Sequence, residues 1–166
     1  TAFIPYKGKH LDEIWGSLDG HQLQADDLLG RMQEISPRLF YLGGNRDLLK
    51  TYYYTPEGIS YLLDLAREKF QLIFLDLGHF VDTPLAVQAL MSSDLFLIYT
   101  NQRQAPKENW LRMKNQILER ELGLNFDHNP NAWLICNQMY NSADVETHQQ
   151  IAKQYNLVSM ASLPYL

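Results

Sequence analysis

One carboxylate stands where a buried strand would deliver it to a ligand. Asp76 follows the apolar residues 72–75 and is followed two positions later by Gly78. A carboxylate at the end of a parallel strand can hold Mg²⁺ through water and meet a phosphate-bearing ligand. A glycine beside it lets the backbone approach a terminal phosphate. The same pattern fits an aspartate that only caps a turn before the next helix, so both interpretations stay open.

Amide side chains end two further apolar runs. Asn101 comes directly after residues 95–100, and Asn137 comes after residues 133–136. The amide of Asn137 could pair with the edge of a nucleobase, because it offers one donor and one acceptor. An asparagine that only forms a turn fits the same position equally well.

Other chemistries have less support. His79 and Asp82 lie near Asp76, but their spacing is that of a loop and no second histidine is close in sequence, so no transition-metal site is predicted. No Ser/His/Asp order, His-Glu-x-x-His motif or cysteine pair supports a hydrolase triad or zinc catalysis. A basic cluster fits an acidic partner, a phosphate or a solvated helix face, and its members are Arg103, Lys107, Arg112 and Lys114.

The predicted elements that position these residues alternate between strands and helices, as in an α/β fold. Short continuous apolar runs predict parallel strands at 39–42, 72–77, 95–100, 133–137 and 157–160. Helical spacing predicts helices at 56–70, 83–92, 107–122 and 142–155, with Thr55 as one N-cap and Gly123 as one C-cap. We therefore predict a mostly parallel sheet with flanking helices, and Asp76, Asn101 and Asn137 along its carboxyl edge.

The beginning of the chain has a different pattern. Residues 1–38 predict two short helices without a strong strand. The whole length of 166 residues fits one α/β domain, because a single core usually serves ~100–200 residues. We therefore expect a single domain over 1–166.

Composition narrows the class of protein. Hydrophobic residues make up 46% and charged residues 20% of the chain, which excludes a disordered protein. The net charge of −5 argues against a protein that coats nucleic acid. Cys136 is the one cysteine, so no intrachain disulfide can form and we expect a cytoplasmic protein with a buried thiol. No apolar stretch approaches the ~20 residues of a transmembrane segment.

The ordered set of these segments resembles the later half of the ParA/MinD superfamily of P-loop ATPases. The segments are 70–78 with its aspartate and glycine, a helix, 93–100, a long helix, 133–137 and finally 163–165. Within the superfamily, the pattern is most similar to the CpaE/TadZ-type localisation ATPases associated with Tad/Flp pilus assembly. The similarity covers residues 39–166, and residues 1–38 correspond to a region where family members vary most.

The resemblance implies roles for four residues. Asp76 is similar to the Walker B aspartate that acts on Mg²⁺-bound water, and Gly78 begins the loop 78–82 that senses the terminal phosphate. Asn137 matches the asparagine that contacts adenine, and Pro164 lies in the segment after the last strand, which often lies against the base. The implied cofactors are ATP and Mg²⁺. The implied partners are a second copy of the chain and proteins of a pilus, secretion or cell-division-type machine, which could recruit a cytoplasmic protein to the membrane or the pole.

One family feature is absent from the sequence. The deviant Walker A loop, of the type Lys-Gly-Gly-x-Gly-Lys-Thr, has no match, and residues 6–9 lack its second glycine, its Ser/Thr and a preceding strand. Either the loop lies upstream of Thr1 and the chain is a fragment, or the protein is a pseudo-ATPase; we favour the fragment. As given, the chain is not expected to hydrolyse ATP. The alternative is a non-catalytic or receiver-like interaction module that uses the regions around Tyr52–Tyr54 and Trp110.

Overall fold

The computed structural model describes residues 5–78, 82–140, 142 and 144–164, with the side chains of all of these except Gln104. The chain divides into two units, Thr1–Ser92 and Ser93–Leu166. We call them the N-terminal unit and the C-terminal unit. That all 166 residues belong to one domain stays a prediction.

Four helices build the core of the N-terminal unit. They are α1 (Leu11–Asp19), α2 (Ala25–Arg31), α3 (Pro56–Lys69) and α4 (Pro84–Met91). The buried side chains of the first three helices form one apolar cluster, with Ile14, Leu18, Leu28 and Ile59 almost fully excluded from water. The two short helices expected within residues 1–38 are therefore confirmed.

Threonine followed by proline sets the start of α3 and of α4. Thr55 accepts a hydrogen bond from Gly58 N at 3.2 Å, and Thr83 accepts one from Ala86 N, also at 3.2 Å. Proline then occupies the first helical position, where its missing N–H would have had no partner. Both helices begin where the sequence predicts.

A hairpin replaces one of the predicted parallel strands. Strand β1 (Gln33–Ser36) pairs antiparallel with β2 (Leu39–Tyr41), so the run 39–42 is not part of a parallel sheet. Residues 1–38 were expected to hold no strong strand, and β1 within them is short and mostly exposed. Strands as short as β1 and β2 are decided by a partner that an apolar run does not identify.

The run 72–77 is not a paired strand among the described residues. Leu72 is 70% exposed and Phe74 is 74% exposed, so the expectation of a strand buried on both faces is wrong here. The run has the composition of a buried strand, yet a strand also needs neighbours that accept and donate its backbone hydrogen bonds. No described segment supplies them.

The C-terminal unit is an α/β sheet of three parallel strands. Its elements are β3 (Phe96–Thr100), α5 (Gln104–Met113), a π-helix (Lys114–Glu119), β4 (Ala132–Met139), α6 (His148–Tyr155) and β5 (Val158–Pro164). The strand order is β3-β4-β5, with α5 and the π-helix crossing between the first two strands and α6 crossing between the last two. The predicted fold class, a parallel sheet with flanking helices, is confirmed.

The core of this unit contains a hydrogen-bonded pair beneath the sheet. Tyr155 of α6 stacks on Trp110 of α5, and its hydroxyl lies 2.7 Å from Thr100 Oγ1 at the end of β3. Cys136 of β4 is fully buried beside them, and burial raises the pKa of its thiol, as expected of a structural cysteine.

Two helix starts in this unit differ from the prediction. The long helix begins at Gln104 rather than at 107, and α6 begins at His148 rather than at 142. The N-cap of α6 is Thr147, which forms a capping box with Gln150. Residue Ala143 of the predicted start lies outside the described residues.

Candidate nucleotide-binding residues

Asp76 and Gly78 lie together in an exposed turn of the N-terminal unit. Asp76 Oδ1 accepts a hydrogen bond from Gly78 N at 3.0 Å, which makes the turn that this residue type favours. Gly78 has a φ of +60°, a left-handed conformation that glycine adopts without strain. The turn uses one acceptor position of the Asp76 carboxylate, and the rest of this exposed carboxylate faces solvent.

This turn can contribute one ligand to a cation but not a complete site. Mg²⁺ usually takes one or two carboxylates and keeps several waters, so an exposed carboxylate such as Asp76 fits the ion through water. The described residues contain no group of three or more His, Cys, Asp or Glu that could hold a metal ion. His79 and the rest of the expected phosphate-sensing loop up to residue 81 lie outside the described residues.

Residues 6–9, whose sequence is most similar to a Walker A loop, make contacts of another kind. The Tyr6 hydroxyl donates to the carbonyl of Lys9 and accepts from Gly43 N at 2.7 Å. Lys7 N donates to Gln33 Oε1 at 2.6 Å. A side chain added at Gly8 would meet the Tyr6 hydroxyl at 2.7 Å, so this glycine serves close packing rather than phosphate binding.

Asn101, Asn137 and Pro164 belong to the carboxyl ends of the three parallel strands. Asn101 follows β3, Asn137 lies near the end of β4 and Pro164 is the last residue of β5. Met139 of β4 pairs with Pro164, which brings the predicted base-contacting segments of β4 and β5 together. Asp76 belongs to the other unit, so its predicted place on this edge stays a prediction.

Asn137 lies in a bulge of β4 together with Gln138. Cys136 pairs with Ser162 and Met139 pairs with Pro164, so β4 takes three steps where β5 takes two. Gln138 in the bulge has a φ of +54°, and its N–H donates to Asn137 Oδ1 at 2.9 Å.

Sequence reasoning missed Gln102, which joins two loops at the same edge. Its Oε1 accepts from Tyr140 N at 2.8 Å, and its Nε2 donates to Tyr140 O at 3.1 Å and to Glu146 O at 2.8 Å. The partners lie about forty residues away and are main-chain groups, so no pattern of residue types could have identified them.

The regions named for a protein-interaction role differ sharply in exposure. Trp110 is 5% exposed and Tyr54 is 4% exposed, so both are core residues and neither can be a contact surface. Tyr52 and Tyr53 belong instead to an exposed 3₁₀ helix, Leu48–Tyr53, in which no residue is buried. We call this element the 48–53 turn.

Comparison with solved structures identifies the fold. The structure is similar to that of a ParA family ATPase from Chlorobium tepidum TLS, with a TM-score of 0.78 and 21% sequence identity. The match covers 96% of this chain and 63% of that chain, so this chain spans less than two thirds of the length of the neighbour. No protein-family model matches the chain, and no curated protein matches it in sequence. Among the described residues, no helix is long and apolar enough to cross a membrane. The chain therefore has the α/β fold of a ParA-like P-loop NTPase over the part that it spans.

Proposed function

We propose that the chain is the C-terminal part of a ParA/MinD-like ATPase that acts as a nucleotide-dependent localisation or assembly switch. The observation that carries the proposal is the likeness to a ParA family ATPase over 96% of this chain. The resemblance to CpaE/TadZ-type proteins suggests a Tad/Flp-type pilus or secretion system as the machine. The switch would be a cytoplasmic homodimer that forms around ATP and Mg²⁺ and that partners recruit to a membrane or pole.

The site residues support this proposal chemically. Asp76 offers an exposed carboxylate for Mg²⁺-bound water, and Gly78 leaves the backbone beside it open to a terminal phosphate. Asn137 and Pro164 lie on neighbouring strand ends, where the ligands of open α/β sheets bind. An adenine between them would meet an amide donor and acceptor on one side and an apolar ring on the other.

One edge of the parallel sheet supports a further strand in the complete protein. Strand β3 pairs with β4 on one side, and no described strand pairs with its other side. A strand that leads into a Walker A loop would have a place at this edge.

The test uses the full natural chain. We expect it to hydrolyse ATP with Mg²⁺, and Asp76→Ala to lower kcat about a hundredfold or more. Asp64→Ala is the matched control, because Asp64 is an exposed carboxylate whose ion pair with Arg67 on the surface of α3 contributes little. Failure of the full chain to bind ATP, or equal kcat values for the two variants, would refute the ATPase proposal.

A simpler test addresses the part of the chain described above. Without a Walker A loop the 166 residues should not hold the phosphates, so millimolar Mg-ATP should leave their melting temperature unchanged. A clear rise in melting temperature would show that phosphate binding does not need that loop.

The 48–53 turn favours a second candidate, a non-catalytic interaction module. Four of its six side chains are large, apolar and exposed, from 56% for Tyr52 to 77% for Leu48 and Tyr53. Aromatic side chains that become buried on binding carry much of the binding energy of protein interfaces. A full chain that stays monomeric and binds no nucleotide, yet loses a protein partner on Tyr53→Ser substitution, would favour this candidate over the ATPase.

A further inference from the structure

We propose that Gln102 is a positioning residue that fixes the bulge of β4 and thereby the direction in which Asn137 meets a nucleobase. The identity of the ligand rests on the proposed function. The role of Gln102 rests on the geometry of the C-terminal unit.

The side chain of Gln102 continues the pairing between β3 and β4 after β3 has ended. The last backbone pair of these strands is Thr100 with Cys136. Two residues later, the amide of Gln102 both accepts from the N–H and donates to the C=O of Tyr140. A neighbouring strand would make the same pair of hydrogen bonds, so the side chain substitutes for one more rung of the ladder.

These contacts hold the bulge from both ends. Cys136 is held by its pairing with Thr100, and Met139 is held by its pairing with Pro164 of β5. Gln102 adds an anchor at Tyr140, so Asn137 and Gln138 lie between held residues. A left-handed conformation at a residue such as Gln138 costs about 1 kcal/mol or more and persists only where the surroundings impose it. Gln102 is the side chain that imposes it from the β3 side.

The third hydrogen bond ties the following loop to the same point. Gln102 Nε2 also donates to Glu146 O, one residue before the N-cap of α6. The side chain of Glu146 in turn accepts from Gln154 Nε2 on α6. One glutamine therefore sets the positions of the chain as it leaves β4 and as it enters α6.

The chemistry of the amide predicts which substitutions fail. Gln102→Ala removes all three hydrogen bonds. Gln102→Glu keeps the acceptor for Tyr140 N but places a carboxylate against two carbonyl oxygens, so it should be no better. Gln149→Ala is the matched control, because Gln149 is an exposed glutamine on α6 of the same unit.

The first experiment measures base selectivity rather than activity. Fluorescent ATP and GTP analogues are titrated into the full natural chain, and the ratio of their dissociation constants is compared among variants. We expect both Gln102 variants to reduce the preference for ATP about fivefold, the value of roughly one misplaced hydrogen bond. Gln149→Ala should leave the ratio unchanged. An unchanged ratio in the Gln102 variants would overturn the proposal.

The second experiment keeps the proposal testable if the full chain binds no nucleotide, which would refute the proposed function alone. Amide hydrogen exchange is followed at Gln138 and Tyr140, with the amides of Leu134 and Ile135 in β4 as a check that the unit is folded. Gln102→Ala should increase exchange at Gln138 and Tyr140 at least tenfold and leave the core of β4 protected. Unchanged exchange at Gln138 would show that Gln102 does not hold the bulge.

Discussion

The ion cluster around Lys114 allows two costs in stability to be compared. One is the cost of leaving a buried charge without its partner, and the other is the cost of removing the buried charge. Lys114 is 6% exposed, and its Nζ lies 2.5 Å from Asp127 Oδ1 and 3.4 Å from Glu119 Oε1. Burial by itself would lower the pKa of Lys114, but the hydrogen bond and charge of Asp127, assisted by Glu119, outweigh it and raise that pKa.

Asp127→Asn should therefore destabilise the C-terminal unit more than Lys114→Met does. Removing one partner of a buried ion pair costs ~3–5 kcal/mol, and we expect about 2 kcal/mol here because the Asp127 side chain is 38% exposed and Glu119 remains. Lys114→Met removes the buried charge and leaves two carboxylates that water can solvate, so its cost should be below about 1 kcal/mol.

Native-state hydrogen exchange of the amides in β4 provides the assay, because it reports the opening of this unit separately from the rest of the chain. Asp94→Asn is the control, since Asp94 is an exposed carboxylate just before β3 and its substitution should change the opening free energy by less than ~0.5 kcal/mol. A larger loss for Lys114→Met than for Asp127→Asn would refute the reasoning.

The ion pair of Lys114 and Asp127 predicts that the stability of the C-terminal unit falls in acid. The hydrogen bond from Lys114 holds the pKa of the Asp127 carboxyl below its ordinary value of 3.8. A carboxylate with a lowered pKa contributes stability above its ordinary pKa and loses it as the pH falls through the folded value. The difference in opening free energy between the unchanged protein and the Asp127→Asn variant should stay constant from pH 7 to pH 5 and shrink below about pH 4.

Three further predictions concern a buried pair of hydroxyls, two glycines and a hydrogen-bonded carboxylate. Tyr155→Phe should cost about 1–2 kcal/mol in urea unfolding because it removes the 2.7 Å hydrogen bond to the buried Thr100 hydroxyl. That hydroxyl then keeps only a long contact of 3.4 Å with Asn101 O, so Thr100→Val in the Tyr155→Phe background should cost little more. Gly123→Ala should cost about 1 kcal/mol by the same measure because the φ of this residue is +66°, whereas Gly16→Ala in the middle of α1 should stabilise by about 0.5–1 kcal/mol. Asp12→Asn should make unfolding of the N-terminal unit less sensitive to acid. Burial opposes ionisation of Asp12, but two backbone N–H donors and a nearby ammonium group outweigh it and hold the pKa of Asp12 below its ordinary value.

Helices were predictable where local residues decide them. Thr55 and Thr83 each stand before a proline, and both the hydroxyl acceptor and the fixed φ of proline act within one turn. The start of α6 was missed, although Thr147 and Gln150 form a capping box that the sequence displays openly.

Strands were less predictable because their hydrogen bonds are made elsewhere in the chain. The runs 95–100, 133–137 and 157–160 found parallel partners, whereas 72–77 has the same apolar character and no described partner. Apolar character therefore predicts which segments can be strands, and only the remainder of the sheet determines which of them are.

The candidate site was predictable only where neighbouring residues in the sequence decide its geometry. Asp76 forms the turn with Gly78 that its residue type favours, and Asn137 lies near the strand end where the apolar run stops. The bulge at Gln138 and the contacts of Gln102 depend on side chain to main chain bonds between segments far apart in the sequence.

The π-helix after α5 has a consequence for comparing this sequence with others. Each π-helical turn holds about one residue more than an α-helical turn, because its hydrogen bonds span five residues rather than four. A relative with an unbroken α-helix here should have about one residue fewer between Met113 and Gly123. Sequence comparisons that allow no gap at this point would place every later residue, Asn137 included, one position out of register.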